Sequence, residues 1–108
     1  MTSPTVPSPL DRLLEAVNAG QLDAFLDFFT ADGVVDDWGR EFRGREAIKG
    51  WSDREFLGSA VTLKVTGVAQ NGAEVVVSTE VGGNGFNGPS DFAFSVDGDR
   101  VRRMRITG

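Results

Sequence analysis

The sequence predicts an α+β domain in which helices pack on one face of a curled antiparallel sheet, in the order ααββαββββ. Three observations carry this reading. Apolar residues recur at helical spacing between Leu10 and Phe29. From Val61 onward the apolar period changes to two. Asn71-Gly72 and Asp97-Gly98-Asp99 then interrupt the alternating stretch as hairpin turns. A sheet that twists and curls over a helix leaves a cone-shaped hollow.

Taken in order, residues 1–8 are rich in Ser, Thr and Pro and read as a disordered lead-in, with a single domain over 9–108. Ser8 can cap the first helix, Pro9 suits its first position, and Asp11 favours the positive end of the helix dipole. Leu10, Leu13, Leu14 and Val17 share one face, and Asn18-Ala19-Gly20 ends the helix. Leu22, Phe25, Leu26 and Phe29 repeat the spacing in a second helix, which Phe28 widens, and Thr30-Ala31-Asp32-Gly33 reads as a turn. Val34 to Trp38 and Glu41 to Arg43 are short strands about a Gly39-Arg40 turn. Gly44 opens a third helix in which Ala47, Ile48 and Trp51 share a face, closed by Phe56, Leu57 and Gly58. Val61, Leu63 and Val65 alternate in the next strand; Val75, Val77, Thr79 and Val81 in the one after; Phe92, Phe94 and Val96 in the third. Val101 to Thr107 closes the chain.

Composition removes several chemistries. With 108 residues the chain buries roughly 65% of its unfolded surface, enough for one core and a small cavity. It holds no Cys, His or Tyr, so thiol chemistry, imidazole catalysis and a phenolic proton donor are excluded. The absence of Cys fits a cytoplasmic location. A net charge of -5 argues against nucleic acid and anionic membrane as partners. No apolar run approaches the ~20 residues that span a bilayer, and the N-terminus lacks the pattern of a signal peptide.

The candidate site centres on Val34-Val35-Asp36-Asp37-Trp38-Gly39. Strand alternation points Asp36 into an apolar pocket and Asp37 outward unless a bulge intervenes. A carboxylate facing apolar surroundings has its charged form disfavoured and becomes a useful base. Trp38, Trp51, Phe28, Phe56 and Phe86 are candidates to line a pocket for a small hydrophobic molecule, against the alternative of plain core packing. Asp36, Asp37 and Glu41 make a poor metal site because adjacent strand residues diverge; neither metal nor cofactor is expected. Gly83-Asn84-Gly85-Phe86-Asn87-Gly88 fits the GxGxxG string, but Pro89 and a strand follow it rather than a helix. It reads as a wide hairpin loop, a candidate lid. Arg100, Arg102, Arg103 and Arg105 read as solvated residues on the sheet, pairing with Glu74 or Glu80 across a dimer interface.

Asn18-Ala19-Gly20-Gln21-Leu22-Asp23, Phe29-Thr30-Ala31-Asp32-Gly33-Val34-Val35-Asp36-Asp37-Trp38-Gly39 and Phe42-Arg43-Gly44-Arg45-Glu46-Ala47-Ile48 resemble the nuclear-transport-factor-2-like superfamily, in its SnoaL-like and ketosteroid-isomerase-like branches. The resemblance covers Leu10 to Thr107 and implies a cone of helices on a curved mixed sheet, the cystatin-like α+β barrel, dimeric through the sheet face. It implies isomerase-, cyclase- or dehydratase-like proton transfer, or binding without catalysis. Asp36, with Gly39 in register, matches the family's general base, and Asp91 its protonated acid, provided that Asp91 rather than Phe92 and Phe94 faces the cavity. Leu13 or Leu14 stands where the family's catalytic tyrosine lies, so a true ketosteroid isomerase is not implied. The cyclases' histidines are missing. The epoxide hydrolases use an Asp-Arg-Asp group; Arg40 and Arg43 lie near Asp36 but read as solvated or paired with Glu41 and Glu46.

Overall fold

The computed structural model describes residues 4–108. Helices α1 (Leu10–Asn18) and α2 (Leu22–Asp27) form a hairpin, followed by strands β1 (Phe29–Asp37) and β2 (Arg40–Arg43). Helix α3 (Arg45–Glu55) and a 3-10 turn (Leu57–Ser59) lead into strands β3 (Thr62–Asn71), β4 (Glu74–Gly82), β5 (Gly88–Asp97) and β6 (Arg100–Thr107). The six strands form one sheet in the order β2-β1-β6-β5-β4-β3. β1 and β6 run parallel and every other neighbouring pair antiparallel, so the sheet is mixed. Of the expected lead-in, residues 1–3 lie outside the described residues; Pro4–Pro7 carry no regular structure, and Val6 packs against the core. Among the described residues no helix is long and apolar enough to cross a membrane.

The predicted periodicities locate the core. Leu10, Leu13, Val17 and Phe25 from the helices are fully buried against Val35, Val77, Phe94 and Met104 of the sheet. Asn18 adds a polar tie: its side-chain amide accepts from Leu63 N at 2.7 Å and donates to Leu63 O at 3.0 Å. That occupies backbone groups of the edge strand β3.

Local structure departs from expectation in the stretch after α2. The helix ends at Asp27, and Phe29 already pairs with Val101 of β6. Thr30 to Gly33, expected as a turn, lies inside β1 as an irregularity, with a register shift between Phe29 and Val34. Gly33 permits the tight fold-back, because a Cβ there would sit 3.1 Å from Thr30 O. The Gly44 N–H donates to Gly33 O at 2.8 Å and the Arg45 guanidinium to Phe29 O at 2.6 Å, pinning the bulge to the start of α3. Trp38, expected in the strand, stands in the turn instead. Asp37 pairs with Arg40, and Trp38 and Gly39 between them take positive φ of 55 and 89°. Two left-handed residues match the right-handed twist of a short hairpin.

A candidate small-molecule site at the open end of the sheet

The end of β1, the last turn of α3 and the β4–β5 connection enclose a cavity of about 330 Å³. That volume is in the range of sites that hold a small organic molecule. Trp51 and Phe56 form one wall, their rings stacked at 4.8 Å. Phe92, Ile106, Val81 and Ser90 supply the sheet side. Trp38 and Phe86, 62% and 59% exposed, are the large exposed hydrophobic residues of the described chain, and both line this cavity. Exposed aromatics cost free energy in water, so two of them beside one opening point to a surface made to be covered.

One polar group in the wall is Asp37. Its Oδ2 accepts from the Trp51 indole Nε1 at 3.1 Å and from Arg40 Nη2 at 2.5 Å. Arg40 also donates from Nη1 to Glu55 Oε2 at 3.0 Å and from Nη2 to Glu55 Oε1 at 2.7 Å. One guanidinium therefore bridges two carboxylates, both of which line the cavity. The hydrogen bond from Arg40 holds the Glu55 carboxyl below the usual range, and the hydrogen bonds to Glu55 and then Asp37 hold Arg40 firmly protonated. Asp37 Oδ1 receives no hydrogen bond from the described residues, and no buried side-chain polar atom among them lacks a partner; Oδ1 is therefore accessible to solvent.

The expected orientations of the two adjacent aspartates are exchanged. Parallel pairing sets Val35 opposite Met104 and Asp37 opposite Ile106, both inward residues, so Val35 and Asp37 share the inner face. Asp36 takes the outer face, where it accepts from Arg103 at 2.8 Å and caps the turn by accepting from Gly39 N at 2.7 Å. Val34 and Val35 are both buried, so their apolar character could not report which faced the helices. Asp91 is also placed outside the cavity. It is exposed, while Phe92 and Phe94 of the same strand are buried facing the helices. Phe28 packs against the core rather than lining the cavity, because α2 stops before it and its carbonyl accepts from Val101 N at 2.7 Å.

Among the remaining expectations, Trp38, Trp51, Phe56 and Phe86 do line the cavity. Leu13 and Leu14 are buried in the core. Arg40 pairs with Asp37 and Glu55 rather than with Glu41, and Arg43 reaches Asp32 O at 3.4 Å rather than Glu46. Arg105 pairs with Glu74 at 3.0 Å within the chain. Glu55 was not among the expected site residues, and Arg40 was expected to be solvated or paired with Glu41 and Glu46; the sequence signal for its tie to Asp37 is the three-residue spacing across a Trp-Gly turn.

The fold agrees with comparisons to known proteins. A protein assigned as a polyketide cyclase from Sinorhizobium meliloti superposes with a TM-score of 0.82 at 21% identity, covering 94% of this chain and 95% of that one. A protein of ketosteroid-isomerase-like fold from Catenulispora acidiphila, in complex with trimethylamine, gives 0.80 at 23% identity, covering 96% and 87%. The epoxide hydrolase/cyclase-like enzyme SalBIII, of pyran ring formation in the polyether salinomycin, gives 0.78 at 18% identity, covering 90% and 84%. No curated protein matches the chain. At these identities the likeness is one of fold. The model of the SnoaL-like domain, by contrast, matches residues 10–106, and the chain belongs to that family.

Proposed function

We propose that the domain takes a small, largely apolar molecule into this cavity and that Asp37, not Asp36, is the base that moves a proton on it. The observation that supports this is the Asp37 carboxylate, which lines a cavity with aromatic walls: one oxygen is fixed by the Trp51 indole and Arg40, and the other has no partner among the described residues. Fixing one oxygen orients the free one and costs no reorganisation during reaction. In this reading Oδ1 accepts a proton from a carbon acid, a hydroxyl or a water, and Arg40 stays protonated throughout. Glu55 aims the guanidinium from the other side. A second reading is binding without turnover. It is favoured by the hydrogen bonds that already engage both carboxylates of the wall, Asp37 with Arg40 and Trp51 and Glu55 with Arg40.

The chain carries its own reporter. Trp38 and Trp51 are its two tryptophans, both line the cavity, and there is no tyrosine, so intrinsic emission reads occupancy directly. Titration with a panel of cyclic ketones, epoxides and hydroxy compounds, followed by product analysis of those that shift emission, tests the proposal. Asp37→Asn is expected to lower turnover of an active compound by about 10²-fold or more with little change in binding. Asp36→Asn, on the outer face, is expected to leave turnover nearly intact. The reverse ranking overturns the assignment, and ligands that bind and emerge unchanged support the second reading.

A further inference from the structure

Asp37 and Glu55 are two of the three charged side chains that line the cavity; the third is Arg54. Arg54 stands in the last turn of α3, where a cation suits the helix dipole. That role alone does not require its side chain to border a cavity. Among the described residues Arg54 makes no ion pair and no side-chain hydrogen bond. The carboxylates around it are already engaged: Asp53 by Lys49 at 2.9 Å, and Glu55 and Asp37 by Arg40. The guanidinium instead lies back along its helix, with Nη1 3.2 Å from where a Cβ on Gly50 would stand. Its donors are thus free for a ligand.

Resting on the reading of the cavity as a ligand site, we propose that the ligand is an amphipathic anion: an apolar body among the aromatic walls, and a carboxylate or comparable single anionic group received by Arg54. Charge arithmetic supports direct contact over long-range attraction. Asp37, Glu55 and Arg40 together carry one negative charge, and Arg54 brings the mouth to neutrality. No field draws an anion in from a distance; a guanidinium with unengaged donors recognises a carboxylate through paired, charge-assisted hydrogen bonds.

Three probes of one shape decide it: adamantane-1-carboxylate, adamantane-1-methanol and adamantane-1-ammonium, each transparent where tryptophan absorbs, titrated against wild type, Arg54→Gln and Arg54→Lys. The expected result is a carboxylate affinity about fivefold above that of the alcohol in wild type, as befits a partly solvated ion pair. Arg54→Gln should bring the two together, and Arg54→Lys should keep part of the difference. Equal affinities in wild type while the alcohol binds, or tightest binding by the ammonium, overturns this inference and spares the cavity. No emission change with any probe removes the ligand site itself, and this inference with it.

Discussion

Arg40 holds two carboxylates with one guanidinium, and the consequence for pH can be worked out at the level of Glu55. The folded-state pKa of Glu55 is lowered, first by the hydrogen bond from Arg40. A group whose pKa falls on folding contributes stability above its unfolded value, about 4.3 for Glu, and loses that contribution as pH falls through the folded value. Comparing wild type with Glu55→Gln by thermal unfolding should therefore show a constant difference between about pH 5 and pH 8. The difference should shrink below about pH 4. A difference that grows on acidification contradicts the sign. Because the pair is exposed the effect is small. The residue scale was also where the sequence was hardest to read. Asp36 and Asp37 have the same side chain and differ only in phase, and phase belongs to pairing with a strand some 67 residues on.

At the scale of elements, the junction between α3 and the 3-10 turn controls how Phe56 and Ser59 reach the cavity. Gly58 makes that junction possible: a Cβ there would lie 1.7 Å from Asp53 O, a backbone atom that cannot swing aside. Gly58→Ala is expected to destabilise the fold by about 2 kcal/mol or more, through overpacking against a fixed carbonyl. Urea unfolding measures this, and a change under about 0.5 kcal/mol, the range of an ordinary surface substitution, would show that the turn is not so constrained. Elements built on strong periodicity were legible in advance. The β3–β4 and β5–β6 hairpins form where Asn71-Gly72 and Asp97-Gly98-Asp99 place them, the first displaced by one residue to Gly72-Ala73. The stretch Thr30 to Gly33 was not legible, because turn-forming residues also make bulges. The ladder to β6 and the Gly44 and Arg45 ties select the bulge.

For the whole molecule, the two faces of the sheet divide the work. The inner face carries the core and the cavity; the outer face carries the Asp36–Arg103–Glu41 group and the Arg105–Glu74 pair. A homodimer contact on that outer face is an expectation that rests on the family resemblance alone. Sedimentation at micromolar concentration should return twice the mass of one chain, and the mass of one chain would sink the pairing. Hydrophobic spacing and turn chemistry by themselves determined the α+β class, the element order and most core residues, because burial repeats every 3.6 or 2 residues and needs no partner to be recognised. Only the tertiary structure decided which aspartate lines the cavity, that Arg40 ties it to Glu55, and that Asp91 and Phe28 lie elsewhere. Strand phase, bulges and ion-pair partners arise from contacts between distant segments, where a one-residue shift of register exchanges inside for outside.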